Sequence, residues 1–449
     1  MKSFPSLYLT NLFLVGGTGL LTTYLALYLG QQGVSTFWIG LLTSFYYLGL
    51  LLGAKLGYHL IKSVGHIRAF AASTAAVTAC VAIHGVSDNI YLWLGLRLVV
   101  GLGMMCNFMV LESWLNEQAA PEQRGRVFSF YMLTSYLGMV TGQFALSNFP
   151  ELGYAPLFLI VVALSFGIIP ISTTRRIHPK PLKPIQVSLF TYFKKVPQSL
   201  TAVCFAGVIN GSFYGLAPTF ASQSGFNAEE IAMYMSVTIF AGLLAQWPMG
   251  IISDRVRRSI LLRSNAVFIG LISLCIFLLP LSPSYSLWLT FGFGLFAFTM
   301  YPLSSALANS RVDDEDRVGV SSALLVAFGG GACVGSAAIA QFMSHFGHQA
   351  LYASLSALTV VMFLLLHFIN ARQKAEQPEP SDYVAATSDI TSSPLAATMD
   401  PRIEEKTAHE QLLVVDEDAP RDNDDELDDN DQNSEPTEEL DETTNKPQP

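Results

Sequence analysis

Charge is what this 449-residue chain has least of: only 13% of its residues are Asp, Glu, Lys or Arg, against 51% hydrophobic, and its mean hydropathy is +0.41. That balance excludes an ordinary soluble domain. Acidic residues are scarcer still across residues 1–372, where 20 Lys+Arg face 12 Asp+Glu for a net of +8; residues 373–449 reverse this with 5 against 23, a net of −18. The formal −10 describes neither part. The five cysteines (80, 106, 204, 275 and 333) all fall in apolar runs, which excludes a disulfide framework in the loops. There is no metal-spaced His cluster, no nucleophile elbow and no nucleotide-binding loop. "GGG" at 329–331 has no Lys-Ser/Thr behind it and lies inside an apolar run. "NGS" at 210 is in a similar run, so glycosylation there is excluded too. No cofactor, metal or nucleic-acid partner is expected, and no enzymatic activity.

Long hydrophobic runs, by contrast, are abundant. About 20 residues cross the hydrocarbon of a bilayer, and twelve such runs are present: 6–29, 38–61, 67–87, 90–115, 125–148, 154–173, 199–222, 230–252, 260–280, 285–308, 319–343 and 348–370. The first begins too soon and runs too long for a cleavable signal peptide. The predicted fold is therefore all-α and polytopic, with twelve transmembrane helices in the lipid bilayer. Cytoplasmic loops retain Lys and Arg. With both termini inside, the inner loops carry Lys62, Arg68, Arg124, Arg126, Arg175, Arg176, Lys180, Lys183, Lys194, Lys195, Arg255, Arg257, Arg258, Arg263, Arg311 and Arg317, and the outer loops carry none. The acidic, aromatic-poor segment 373–449 cannot bury enough apolar surface to offset its ordering, so it is read as a disordered cytoplasmic tail, a solvated filler with no motif.

The chain also repeats itself. An offset of 192 lays "YLGQQGVSTFWIG" from Tyr28 on "FASQSGFNAEEIA" from Phe220, matching Gly33 to Gly225 and Ile39 to Ile231; an offset of 191 matches Gly101 and Gly103 to Gly292 and Gly294, and Arg126-Val127 to Arg317-Val318. Two six-helix bundles follow, 1–173 and 199–372, joined by a basic cytoplasmic linker at 174–198.

Several of these segments resemble the major facilitator superfamily of transporters. "GIISDRVRRSILL", residues 250–262, is similar to the family's loop signature through Asp254, Arg255, Arg257 and Arg258, with Arg257 where the signature has glycine. "GYHLIKSVGHIRAF", residues 57–70, keeps Gly65 and Arg68 but has Lys62 in place of the acid. "RLVVGLG", residues 97–103, resembles the fourth-span Arg-x-x-x-Gly-x-Gly motif. "LESWLNE", "GHIRAF" and "QWPMGIISDR" together are similar to the YcaD-like branch. The resemblance covers roughly residues 5–372. It implies a monomeric carrier of a small molecule in a bacterial inner membrane, working by alternating access and coupled to protons, with export favoured by family frequency. "GMVTGQFAL" in the fifth span lacks the Gly-Pro of the family's antiporters, which counts against a drug/proton antiporter. A non-transporting sensor or scaffold acting through its acidic tail, and an uncoupled facilitator, are the competing readings. Deleting the tail at residue 373 separates the first of these, because a carrier keeps its activity and a tail-operated sensor loses it.

Two charges interrupt the fourth span. Arg97 and Glu112 are 15 residues apart, which returns to within about 60° of one helix face while separating them by about 22 Å along the axis. They cannot pair within that helix. Facing lipid, each would cost at least about 2.5 kcal/mol near the centre, so both are expected to face the interior. Arg97, permanently charged, either anchors neighbouring backbone or tunes an ion site. Glu112 can carry a proton, because a low-dielectric site favours the neutral acid while a nearby cation restores the charge; its structural alternative is an interfacial pair with Arg124 or Arg126. Lys55, on one face with His59 and Lys62, is expected to snorkel. Asp254 is a candidate gate, accepting from free N–H groups at the start of the fifth span, with Arg126 beside it; a simple cap is the alternative. Gly49, Gly53 and Gly57, Gly138 and Gly142, and Gly331 and Gly335 fall at four-residue spacing, which permits close backbone approach. Since the resemblance implies that spans 2 and 11, and 5 and 8, face each other, these glycines are expected on the surfaces that move; static packing within one half is the alternative. Candidate cavity residues, from spans 1, 4, 7 and 10, are Thr18, Thr22, Asn107, Asn210, Tyr214, Thr299 and Tyr301. As a set they suit a neutral or amphipathic substrate.

Overall fold

A computed structural model describes residues 4–120, 123–149, 152–172, 189–279, 282–313, 316–372, 391–393 and 395, all within one compact unit. The basic segment 174–188 and most of 373–449 lie outside the described residues, as does the expected disorder of that part of the tail. Fourteen helices and no strand occur among the described residues: α1 (Phe4–Gln31), α2 (Thr36–Val64), α3 (His66–His84), α4 (Ile90–Gln118), α5 (Arg124–Leu146), α6 (Ala155–Ser172), α7 (Leu189–Lys195), α8 (Pro197–Gln223), α9 (Ala228–Arg255), α10 (Arg258–Leu278), α11 (Pro283–Ala297), α12 (Met300–Asn309), α13 (Arg317–Phe346) and α14 (Ala350–Arg372).

These make twelve spans. Ten are long and apolar enough to cross a membrane, counting Tyr285–Asn309 (α11 with α12) as one. α6 is apolar but shorter. α5 is long enough but more polar, because Tyr131, Ser135 and Gln143 face inward where the helix packs between α1 and α9. Large apolar side chains such as Phe158, Trp247 and Trp288, each more than 70% exposed, cover the outside of the bundle, as a lipid-facing surface requires. α11 and α12 divide a run expected to be continuous. Pro302 has no N–H and its ring crowds the carbonyl four residues back, and the chain breaks at Phe298–Thr299. The freed Phe298 carbonyl lies 3.5 Å from Gln246 Nε2.

The repeat is visible as paired contacts. α2 on α4 corresponds to α9 on α11, α1 on α5 to α8 on α13, and α3 on α6 to α10 on α14. Between the halves, α2 lies on α13 and α5 on α9, as the resemblance implied. The matched glycines share one device: Gly33 at φ 72° and Gly225 at φ 91° close the turns after α1 and α8. The same backbone bond wraps each turn, Val34 N–H to the Leu29 carbonyl at 3.0 Å and Phe226 N–H to the Ala221 carbonyl at 3.1 Å. Gly33→Ala and Gly225→Ala are each expected to cost about 1 kcal/mol, since L side chains resist this conformation; thermal unfolding in detergent reads the loss. Beyond Gly225, Asn227 and Glu230 form a reciprocal capping box that starts α9.

The basic residues gather at one end of the bundle, at the α2/α3, α4/α5, α9/α10 and α12/α13 connections and on α7. There Lys195 of α7 forms an ion pair with Asp316, just before α13, and the Tyr192 hydroxyl also donates to Asp316 at 3.4 Å. The hydrogen bond to Asp316 holds the Lys195 ammonium above the usual lysine range.

The glycine expectation is corrected. A Cβ on Gly49 would lie 2.2 Å from the Leu98 carbonyl of α4, and Gly53 and Gly57 also meet α4. Gly138 and Gly142 meet α1 at Leu12 and Gly16, while Gly331 and Gly335 meet α8 at Cys204 and Val208. All seven therefore pack within one half and do not lie on the surface between the halves. Four-residue spacing marks a backbone approach without naming the partner. The approach between halves falls instead on Gly40, whose Cβ would lie 2.2 Å from Ala340 Cβ of α13, and on Gly215, whose Cβ would meet Thr43 Oγ1 at 2.5 Å. These contacts close the end of the bundle opposite the basic residues.

Candidate functional site

Between the halves lies a narrow cavity lined by α1, α2, α4, α5 and α8, with Thr18, Thr22, Thr43, Tyr46, Gln143 and Tyr214 among its walls. Each polar wall residue has a local anchor. Thr18 donates to the Leu14 carbonyl at 2.8 Å, and Thr23 donates to Gln143 Oε1 at 2.8 Å across α1 and α5. Gln143 Nε2 in turn donates to the Gly19 carbonyl at 3.3 Å. Tyr214 stacks on Phe298 with ring centroids 5.7 Å apart, and its hydroxyl reaches Met139 Sδ of the other half at 3.5 Å. Nearby, Gln246 Nε2 of α9 donates to Tyr136 Oη of α5 at 3.1 Å, a second polar link between the halves.

Of the two charges of α4, Arg97 touches walls of this cavity directly and Glu112 is linked to one, Thr391, through Tyr131. Arg97 is 1% exposed. It donates to Thr22 Oγ1 at 3.1 Å and its guanidinium lies 4.6 Å from the Tyr46 ring centroid, so both partners are cavity walls. Glu112 is 0% exposed and two turns from the basic end of α4. Its Oε1 lies 3.2 Å from the Tyr131 hydroxyl. The same carboxylate accepts the Ser393 backbone N–H at 2.9 Å on both oxygens, and the Ser393 hydroxyl donates to Oε2. Thr391 is on the cavity wall as well. The reading of the whole tail as solvated filler is thus corrected for Thr391, Ser393 and Leu395, which are buried against the bundle. Their stretch is uncharged, so burial carries no ionic desolvation cost.

Of the seven cavity candidates, Thr18, Thr22 and Tyr214 line the cavity. Asn107 instead accepts from Thr74 of α3 at 3.1 Å, and Thr299 accepts from Asn265 of α10 at 3.0 Å beside the helix break. Both were misplaced because a polar residue on a lining helix can equally face a neighbour. Tyr301 packs edge-on to Phe328 at 5.6 Å, and Asn210 is wholly buried; neither is among the cavity walls. Tyr46, Gln143, Tyr131 and Gln246 were missed, because they stand on α2, α5 and α9, outside the helices that the family resemblance assigns to the cavity. A stripe of Tyr131, Ser135 and Met139 at four-residue spacing, with Gln143 next in register, was the available signal on α5.

The gating set is dispersed. Asp254 is 61% exposed on its side chain and lies 3.7 Å from Arg258 of its own corner. Arg126 rests over the Phe130 ring at 5.9 Å, and Gln123, capping α5, makes no side-chain cap bond. The contact expected between Asp254 and the start of α5 is therefore not made in this conformation, which is closed at the opposite end. Arg258 is buried and donates to the Ala306 carbonyl at 3.2 Å. Arg255, Arg257 and Arg68 are exposed. Gly65 holds φ 84° at the α2/α3 corner, whereas Arg257 at the matching corner has φ −53°, a conformation open to any residue. That is why arginine can stand where the signature has glycine. Lys55 is exposed on the outer face of α2, and His59 Nδ1 lies 2.8 Å from the Lys55 carbonyl.

A family model described as Major Facilitator Superfamily matches residues 7–336. The chain belongs to that superfamily. It is an integral membrane protein of transporter type. It is 28% identical over 375 residues to a protein of Escherichia coli O17:K52:H18 named uncharacterized MFS-type transporter YcaD, covering 83% of this chain and 96% of the relative. A Shigella flexneri protein of the same name is also 28% identical, over 376 residues, with the same coverage. Among solved structures, the fold is similar to nucleoside transporter NupG in its D323A form, with a TM-score of 0.70 at 14% identity, covering 82% of this chain and 99% of that one. It is likewise similar to a bacterial homolog of the human lysosomal transporter Spinster, inward-facing and occupied, with a TM-score of 0.67 at 14% identity, covering 83% and 98%.

Proposed function

We propose that this superfamily member carries a neutral or amphipathic small molecule across a bacterial inner membrane by alternating access, coupled to protons through Glu112. The observation that carries the reading is a fully buried carboxylate linked through Tyr131 to Thr391 on the wall of the cavity. Glu112 is the titrating group and Arg97, about 22 Å away along α4, fixes the positive charge at the other end. Hydroxyl, amide and aromatic walls leave few fixed charges to meet a substrate, which would place an acceptor toward Arg97 and a donor toward Glu112. The basic end is cytoplasmic by the distribution of Lys and Arg, which puts both termini inside. The protein works as a monomer in the bilayer, in the direction of export, with Asp254, Arg126 and the two loop motifs forming the inner gate in the alternate conformation.

The test is accumulation in proteoliposomes under an imposed pH gradient, using a labelled panel of metabolites and drugs. Uphill movement of one compound class, collapsed by a protonophore, is expected. Flux that ignores the gradient would make the protein an uncoupled facilitator. Ending the chain at residue 372 is expected to preserve or raise transport, and loss of transport there would favour the sensor reading.

Tyr131 supports the same role by its contact with Glu112. Tyr131→Phe removes one hydrogen bond to a charged group, about 1.5–3 kcal/mol. It is expected to lower gradient-driven uptake by about tenfold, with exchange of labelled for unlabelled substrate less affected. The two assays side by side read the difference.

A further inference from the structure

The residues seated on Glu112 belong to this chain's own tail, and they fit their site as a ligand does. Ser393 offers its N–H to both carboxylate oxygens and its hydroxyl to one of them. Tyr131, the donor beside that carboxylate, also lies 2.9 Å from the Thr391 carbonyl, so its one proton is shared between Glu112 and the segment. Each side thus supplies what the other lacks: a carboxylate meets donors, and a hydroxyl meets a carbonyl. Leu395 adds an apolar anchor packed into the core, 7% exposed. Thr391, 3% exposed, forms part of the wall of the central cavity together with residues such as Thr18 and Gln143.

The sequence of the segment is suited to the place. Residues 390–399, "ITSSPLAATM", carry no charge inside a tail holding 23 acidic and 5 basic residues. An acidic stretch would be repelled by Glu112; this one brings neutral donors. The 18 residues from 373 to 390 that precede it reach roughly 60 Å when extended, longer than the roughly 43 Å of the 29-residue α4. The tether from Arg372 therefore suffices.

We propose that the buried site formed by Glu112 and Tyr131 beside the cavity is a peptide-binding site whose ligand is the chain's own Thr391, Ser393 and Leu395, which close the cavity from the basic end and compete with cargo for Glu112. The carrier is then held off by its tail, and whatever draws the tail away opens it. This inference uses the transporter cavity but does not depend on proton coupling.

The experiment reads access alone. In a full chain whose five cysteines are replaced, Thr18→Cys is reacted with a membrane-impermeant maleimide from the basic side. Replacing residues 390–399 by a Gly-Ser stretch of equal length is expected to speed labelling about tenfold, and so is Ser393→Asp, which sets a second carboxylate against Glu112. A synthetic peptide of sequence ITSSPLAATM, added to the Gly-Ser chain, is expected to slow labelling again. Neither change replaces a residue of the helices, and thermal unfolding in detergent checks that the fold is kept. Labelling rates equal within a factor of two in the full chain and both variants would overturn the proposal. Because no transport is measured, a failure of proton coupling leaves this result intact, and a failure here leaves coupling untouched.

Discussion

Gly40→Val is expected to leave the protein folded but to drive it out of the conformation described here. Gly40 sits near the start of α2, and its Cβ would lie 2.2 Å from Ala340 Cβ and 2.6 Å from the Ser336 carbonyl, both on α13 of the other half. Overpacking of this kind costs about 1–3 kcal/mol. When the two halves separate at this end the clash vanishes, so the cost falls on one conformation only and shifts the balance by about 5- to 150-fold. Gly49→Val makes the contrast. Its Cβ would lie 2.2 Å from the Leu98 carbonyl and 2.9 Å from Gly101 Cα, a contact within one half that persists in every conformation. Here the helices must part for the protein to fold at all, at about 3 kcal/mol or more. The prediction is read twice: by thermal unfolding, which falls for Gly49→Val and barely moves for Gly40→Val, and by maleimide labelling of Thr43→Cys from the side opposite the basic end, which rises only with Gly40→Val. Equal destabilisation by both would remove the distinction between a static and a moving interface.

Glu112→Gln is expected to separate coupled from uncoupled movement. The amide keeps the size of the side chain and one acceptor, but it cannot bind and release a proton. Uphill accumulation driven by a pH gradient should fall at least about 100-fold, a loss of about 2.7 kcal/mol of driving linkage. Exchange of labelled for unlabelled substrate, which needs no net proton movement, should survive within a few-fold. If accumulation persists, Glu112 is a structural acceptor for Tyr131 and Ser393, and Asp254 becomes the next carboxylate to test. Loss of both activities would point to a folding defect, which the exchange assay and thermal unfolding together reveal.

Much of the architecture was legible in the sequence because it rests on local or additive physics. Twelve apolar runs follow from the cost of exposing backbone in lipid, and the paired turns at Gly33 and Gly225 follow from a conformation that few residues adopt. The inward facing of Arg97 and Glu112 followed from the cost of charge in hydrocarbon. What failed was the choice of partner. The glycines of α2, α5 and α13 announced close approach, yet periodicity holds nothing about which helix comes near. The break before α12 was hidden because Pro302 acts on the carbonyl of Phe298, four residues back in an apolar run. Asn107 and Thr299 lie on lining helices but turn to Thr74 and Asn265. The tail was judged by its net charge of −18, an average that concealed the ten uncharged residues at 390–399.

The central claim is that substrate and proton move together through Glu112. It is tested most directly by reconstituting the wild-type chain with a pH dye inside the vesicles, presenting each compound of the panel without an imposed gradient, and recording the internal pH. A transported compound is predicted to change that pH in wild type, with the change absent in Glu112→Gln. A compound that labelled-substrate assays show crossing the membrane with no pH change in the wild-type protein would contradict the account.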